Sequence, residues 1–237
     1  MSKENRNKRR GFGAISIYES LRDEILTLEL EPGQLVDETS LATRFNVSRS
    51  PVREALVRLV SEALLQTLPN KGTIVAPLRI QEFPQYVDAL DLLQRAVTRL
   101  AADVRTESGL EAIKAEHERF SNCVHTDDVL GMIQSNRDFH VAIASATNNR
   151  YLEAAYRRLL DDGRRFLRLY FKSYGDVLPR ELIGGHTQIV DAIESQDAEL
   201  AERFAAVHTN EMQERFLSYL GSRQLSTISV IGLGNSN

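Results

Sequence analysis

Apolar residues recur three and four positions apart through most of this chain, and that spacing predicts helices in preference to strands. Near the N-terminus, Ile17, Leu21 and Ile25 mark a first helix, and Pro32-Gly33 breaks the chain before a short second helix from Thr39 to Phe45. A third helix begins near Ser50, with Ser48 as its N-cap and Pro51 in the first turn, where no N–H is needed. Two strand-like runs, Leu64 to Leu68 and Thr73 to Val75, flank Pro69-Asn70-Lys71-Gly72, which has hairpin-turn composition. Three helices followed by a two-stranded wing make a winged helix-turn-helix over residues 15–77.

From Gln81 onward no alternating pattern appears. Six segments carry helical spacing: Val87–Val104, Leu110–Val124, Val129–Ala146, Tyr151–Tyr174, Pro179–Ser195 and Asp197–Gly221. Breakers at Ser108-Gly109, Thr126 to Asp128, Asn148-Asn149, Gly175 to Pro179 and Ser195 to Asp197 fall where an antiparallel bundle turns. The fold class is therefore mainly α, an N-terminal winged helix-turn-helix plus a C-terminal antiparallel helical bundle over residues 87–221. Residues 78–86 are expected to be a linker leading into the first bundle helix. Residues 1–14 read as a basic flexible arm, and residues 222–237, rich in Ser, Gly and Asn, as a disordered tail.

The third helix carries the first candidate chemistry. Arg49 and Arg53 are one helical turn apart on one face, which can enter a major groove and offer guanidinium forks to guanine. Such a pair on its own is also what a solvated helix face looks like; the surrounding winged helix makes it a DNA-reading face. The formal charge of −4 looks wrong for a DNA binder until it is divided. Residues 1–77 hold 11 Lys and Arg against 10 Asp and Glu, so the acidity lies in the second domain. Lys3, Arg6, Lys8, Arg9 and Arg10 could follow phosphates or enter a minor groove, or simply form a solvated tail.

No apolar run approaches the roughly 18 to 20 residues of a membrane span, the N-terminus lacks a secretory h-region, and the lone Cys123 permits no internal disulfide. A cytoplasmic protein without membrane contact is expected.

Pro32-Gly33, Leu41-Ala42, Val47-Ser48-Arg49, Pro51-Val52-Arg53-Glu54-Ala55-Leu56, Leu64-Leu65 and the Pro69-to-Gly72 wing together resemble the N-terminal domain of GntR-family bacterial transcription regulators. The resemblance implies that Arg49 and Arg53 contact operator bases or phosphates. It implies that Ser48 and Ser50 help to position the recognition helix, and that Lys71 and Gly72 sit at the wing tip near the minor groove. Thr39 stands where many members place a DNA-contacting arginine, and Ala63 where many place glycine.

Three histidines extend the resemblance to the FadR-like branch with an all-helical FCD effector domain: His140 after Phe139, His186 before Ile189-Val190-Asp191, and His208. In that domain three histidines, with an aspartate four residues before the first, bind a divalent metal. Here the aspartate position is Asn136, which shares a helix face with His140 but brings no charge. The implied cofactor is zinc, with nickel or manganese as alternatives. Asp138 lies on another face, and His117 and His125 read as surface residues. The implied effector is a small organic acid or related metabolite. Leu90 and Gln94 stand where many members carry an arginine and a glutamate, so a less acidic, more apolar or larger ligand is expected. Gln94, Arg164, Arg168 and Tyr170 are its candidate contacts.

The resulting reading is a homodimeric, ligand-responsive repressor on palindromic double-stranded operator DNA. Two alternatives use the same residues, a regulator for which the metal is itself the signal, and a metalloenzyme. The second lacks an evident general base beside a metal ligand and leaves the winged helix unexplained.

Overall fold

A computed structural model describes residues 3–69, 72–173 and 175–228. Its contacts divide the chain into two units, Met1–Ile80 and Gln81–Asn237.

The first unit runs α1 (Lys3–Leu26), β1 (Leu35–Val36), α2 (Glu38–Arg44), α3 (Arg49–Ser61), β2 (Leu65–Leu68) and β3 (Gly72–Val75). Ile17, Leu21 and Ile25 of α1 form one buried stripe, which meets Val52, Leu56 and Leu59 of α3 and Leu65 and Val75 of the wing. Removing these side chains from water is what holds the three helices together, since α2 with 7 residues and α3 with 13 are too short to be stable alone. Asp37 caps α2, its carboxylate accepting from the Ser40 amide at 2.7 Å. Ser48 occupies the N-cap of α3, but its side chain makes no capping bond. The wing is antiparallel with Thr67 opposite Thr73, and β1 adds a third strand beside β3. Two residues are too few to show an alternating pattern, so β1 leaves no trace in the sequence. The stretch expected to be a flexible arm contributes the first turns of α1: it contains no proline and is rich in Lys, Arg and Glu, which propagate a helix well.

Leu28, Asn46 and Ala63 of this unit take positive φ without being glycine. Ala63 follows α3 with φ of 58°, in the left-handed region. The Leu64 amide donates to the Leu59 carbonyl at 3.0 Å and the Ala63 amide to Val60 at 3.0 Å, which closes the helix end around a residue that is usually glycine. An alanine Cβ is disfavoured there by about 1–2 kcal/mol. Ala63→Gly is therefore expected to stabilise the unit by about 1 kcal/mol, raising its melting temperature by about 4–8 °C. Calorimetry on the full chain checks this; an unchanged or lower transition would show that the alanine is not strained.

The second unit is all helical: α4 (Phe83–Val104), α5 (Glu107–His125), α6 (Val129–Ala146), α7 (Arg150–Ser173), α8 (Leu182–Glu194) and α9 (Ala198–Ile228). Each expected segment forms a helix, and the turns fall at the expected breakers except the first, where Ser108-Gly109 lies in the first turn of α5 and the connection is at Arg105-Thr106. Thr106 and Asp128 cap α5 and α6 by accepting from the Gly109 and Gly131 amides. Asp127, Asn148 and Gln196 take positive φ between helices. α9 extends to Ile228, into the stretch expected to be disordered, because Ser222 to Ile228 contains neither glycine nor proline to stop it. The apolar faces of α4, α6, α7, α8 and α9 close on a core that includes Val97, Phe139, Ile143, Tyr156, Ile189 and Ala201. That core fixes the positions of the histidines on α6, α8 and α9. Among the described residues no helix is long and apolar enough to cross a membrane.

Candidate functional site

On α3 the apolar residues Val52, Ala55, Leu56 and Leu59 face inward, which turns Arg49, Ser50 and Arg53 out to solvent. The Arg53 guanidinium is held by Glu38 of α2 in a two-pronged pair, Nη2 to Oε2 at 2.9 Å and Nε to Oε1 at 3.2 Å. That partner keeps the Glu38 carboxyl below its usual range. Thr39 and Ser48 are exposed beside this face. Gly72 has φ of 83° at the start of β3, a turn conformation that glycine adopts without steric cost. Lys71, expected at the wing tip, lies outside the described residues.

The second unit brings His140 of α6, His186 of α8 and His208 of α9 together, with one ring nitrogen from each lying within 4.8 Å of the others. Their ring centroids are 4.8 to 5.3 Å apart. His140 and His186 are buried, at 3% and 0% exposure. Desolvation pushes both of their pKa values well below the usual histidine range, and His208 falls to about 4, again chiefly by burial, with the Arg215 charge second. All three are thus neutral at pH 7 and carry free lone pairs.

A buried neutral histidine normally satisfies both ring nitrogens. Here both nitrogens of His186, and Nδ1 of His140, are buried without a hydrogen-bond partner. Three neutral imidazoles converging on one point, two of them with orphaned nitrogens, suit a divalent metal of the zinc class. A tetrahedral zinc would bring its nitrogen ligands to roughly 3.4 Å from one another, a small rotation inward for these rings. Asn136, one turn before His140, lines the same cavity. Asp138 instead accepts from Gln134 and Arg137, which agrees with its assignment to another face.

His117 departs from expectation. It is half-buried, with its ring 6.2 Å from that of His186, its Nε2 3.2 Å from Thr187 Oγ1, and its Nδ1 buried without a partner. Reading it as a surface residue failed because α5 packs against α8, a pairing that leaves no mark within α5 itself. His125 is exposed, as expected, and bonds only to Ser121 O.

Beside the histidines lies a cavity of about 100 Å³, where roughly 10–15 Å³ of such room holds a water. Gln94, Arg164 and Tyr170 line it; Arg168 does not. Arg168 is turned aside because the Asp176 carboxylate, in the turn after α7, accepts from its guanidinium. Gln94 faces the cavity with both amide atoms bonded, Nε2 donating to Ala205 O at 3.0 Å and Oε1 accepting from the Tyr156 hydroxyl at 3.0 Å. Each amide atom thus makes one bond to the protein and keeps one N–H and one oxygen lone pair besides. Arg137 and Arg215 also line the cavity and were not anticipated. Arg215 lies seven residues after His208, two helical turns on the same face, and that spacing was available to find it.

Residues 14–75 match the family described as "Bacterial regulatory proteins, gntR family", and residues 85–211 match the "FCD domain". The chain is 26% identical over 199 residues to the HTH-type transcriptional repressor RspR of Escherichia coli, spanning 84% of this chain and 86% of that one. It is 28% identical to the HTH-type transcriptional regulator LutR of Bacillus subtilis, over 81% of this chain and 95% of that one. The gluconate operon transcriptional repressor of the same organism is 23% identical, over 89% and 88%. Among solved structures, E. coli McbR/YncC superposes with a TM-score of 0.76 at 22% identity, covering 87% of this chain and 98% of that one.

Proposed function

The chain belongs to the GntR family of bacterial regulatory proteins, in the branch that carries an FCD domain, and from that premise we propose that it is a metal-dependent, acid-responsive repressor binding a palindromic operator as a homodimer. Proteins of this family regulate transcription and are not enzymes. The observation that carries the finer reading is the set of three converging, neutral imidazoles, with orphaned nitrogens on His140 and His186.

His140, His186 and His208, with Asn136, would hold the metal. When bound it supplies a Lewis-acidic cation that a carboxylate can ligate, and the neutral ligand set leaves its full charge to attract that anion. Arg164, Arg137 and Arg215 outnumber Glu211, the carboxylate paired with Arg215, in the lining of the same cavity, which favours an anionic ligand further. On the DNA side, Arg49 and Arg53 read base edges while Ser48, Ser50, Thr39, Lys71 and Gly72 border the backbone contacts. Acid binding acts on the operator by favouring a conformation of the dimer in which the two winged helices no longer fit both half-sites.

The test is operator binding by the zinc-loaded full chain, followed by fluorescence anisotropy on DNA selected in vitro. An acid effector is expected to weaken operator affinity by about 5- to 150-fold, the usual range of allosteric coupling. Chelation should abolish that response and leave operator binding intact. If chelation alone releases the DNA, the metal is the signal; if no acid shifts operator affinity, the effector reading fails.

A further inference from the structure

We propose that the effector is a monocarboxylic acid with an apolar tail, aliphatic or aromatic, and not a sugar acid or a polycarboxylate. This deepens the reading above and rests on it. The histidines occupy one end of the cavity. Eight residues along α9 lead from His208 through Met212 to Phe216, and eight along α4 lead from Gln94 through Leu90 to Tyr86, a rise of about 12 Å in each case. At the far end Tyr86, Phe166 and Phe216 line the cavity and pack together, with ring centroids 5.1 Å apart for Tyr86 and Phe166 and 5.7 Å for Phe166 and Phe216. The cavity is thus polar at the histidine end and aromatic at the other.

The polar groups along its walls are largely committed to the protein itself. Both amide atoms of Gln94 are engaged. The Thr209 hydroxyl donates to Ala205 O at 3.1 Å, and Arg137 is held by Asp138 at 2.8 Å and Asp161 at 3.0 Å. A polyhydroxylated acid would have to bury hydroxyls largely against Leu90, Met132, Leu160, Leu167, Phe171 and Met212, which offer no hydrogen bond, and each unmade bond is costly. An apolar chain loses nothing there and gains by leaving water. Arg215 directly precedes Phe216 on α9, its charge bears on His208, and its guanidinium pairs with Glu211 at 4.0 Å, so the metal is the group left to address a single carboxylate.

Gly163 gives a handle on the aromatic end. A Cβ at this position of α7 would collide with the Tyr86 hydroxyl, so alanine must drive the tyrosine ring from its place.

The experiment is calorimetric titration of the zinc-loaded full chain with butyrate, hexanoate, octanoate and phenylacetate, against gluconate and citrate. Affinity is expected to rise about fourfold with each added methylene, with gluconate and citrate at least tenfold weaker than octanoate. Gly163→Ala should remove roughly tenfold of the gain from chain length without lowering zinc content. A flat response to chain length, or gluconate or citrate binding as tightly as octanoate, overturns the apolar-tail proposal and leaves the metal-bound acid standing. Binding of none of the six acids to zinc-loaded protein overturns both.

Discussion

Arg49→Ala and Arg53→Ala are each expected to weaken operator binding by roughly 1–3 kcal/mol, a loss of about 5- to 150-fold, without unfolding the chain. Both side chains project from the exposed face of α3, opposite Val52, Leu56 and Leu59, so their removal leaves the core intact. The Arg53 side chain is 65% exposed, and its pairing with Glu38 is a surface ion pair, of the kind worth about 0–1 kcal/mol. A guanine edge can therefore displace Glu38 at small cost. It follows that Glu38→Ala should hold or slightly improve operator affinity while Arg53→Ala loses it. Anisotropy titrations on one fixed DNA fragment, at one salt concentration, separate these variants. Full operator affinity in both arginine variants would falsify α3 as the recognition helix.

Removing a metal-site histidine should have a comparable or larger effect in the other unit. His208→Ala or His186→Ala is expected to lower zinc affinity by more than about 100-fold, since losing even a supporting residue outside the ligand shell costs 10- to 100-fold. Acid response should disappear with the metal. Asn136→Asp should act oppositely, tightening zinc by at least roughly tenfold, because it places a negative charge beside the cation in a partly dry site. Competition titrations with a chelating dye measure all three. His186 is fully buried, and its alanine variant leaves a cavity, so half-buried His208 is the cleaner test. Stoichiometric zinc in His208→Ala would remove that histidine from the site, and unchanged affinity in Asn136→Asp would mean that the residue 136 side chain turns away from the metal.

The parts of this protein that were legible beforehand are those encoded within one element. Six helical stripes, their capping residues and their breakers identify the bundle, because the side chains that share a helix face are fixed by a period of 3.6 residues. The same period put Arg49 with Arg53, and Asn136 with His140. It also puts Arg215 on the same face as His208, two turns on. Resemblance of ordered motifs then named the three histidines together, although they lie on three helices up to 68 residues apart in the chain.

What crosses between elements was not legible. Gln94 reads as a ligand contact, and only the structure shows that the Ala205 carbonyl and the Tyr156 hydroxyl, from two other helices, each take one bond of its amide. Arg168 looked equivalent to Arg164 until the turn after α7 put Asp176 within its reach. His117 carried no sign that α8 would pack over it. The sequence by itself determined which helices form, where they stop and which face of each is apolar, since those follow from local periodicity and backbone chemistry. Only the tertiary structure decided which polar side chains are spent on one another and which are left facing the cavity. A hydrogen bond depends on distances between helices, and those are set by the packing of the whole core, not by the spacing of residues within any one of them.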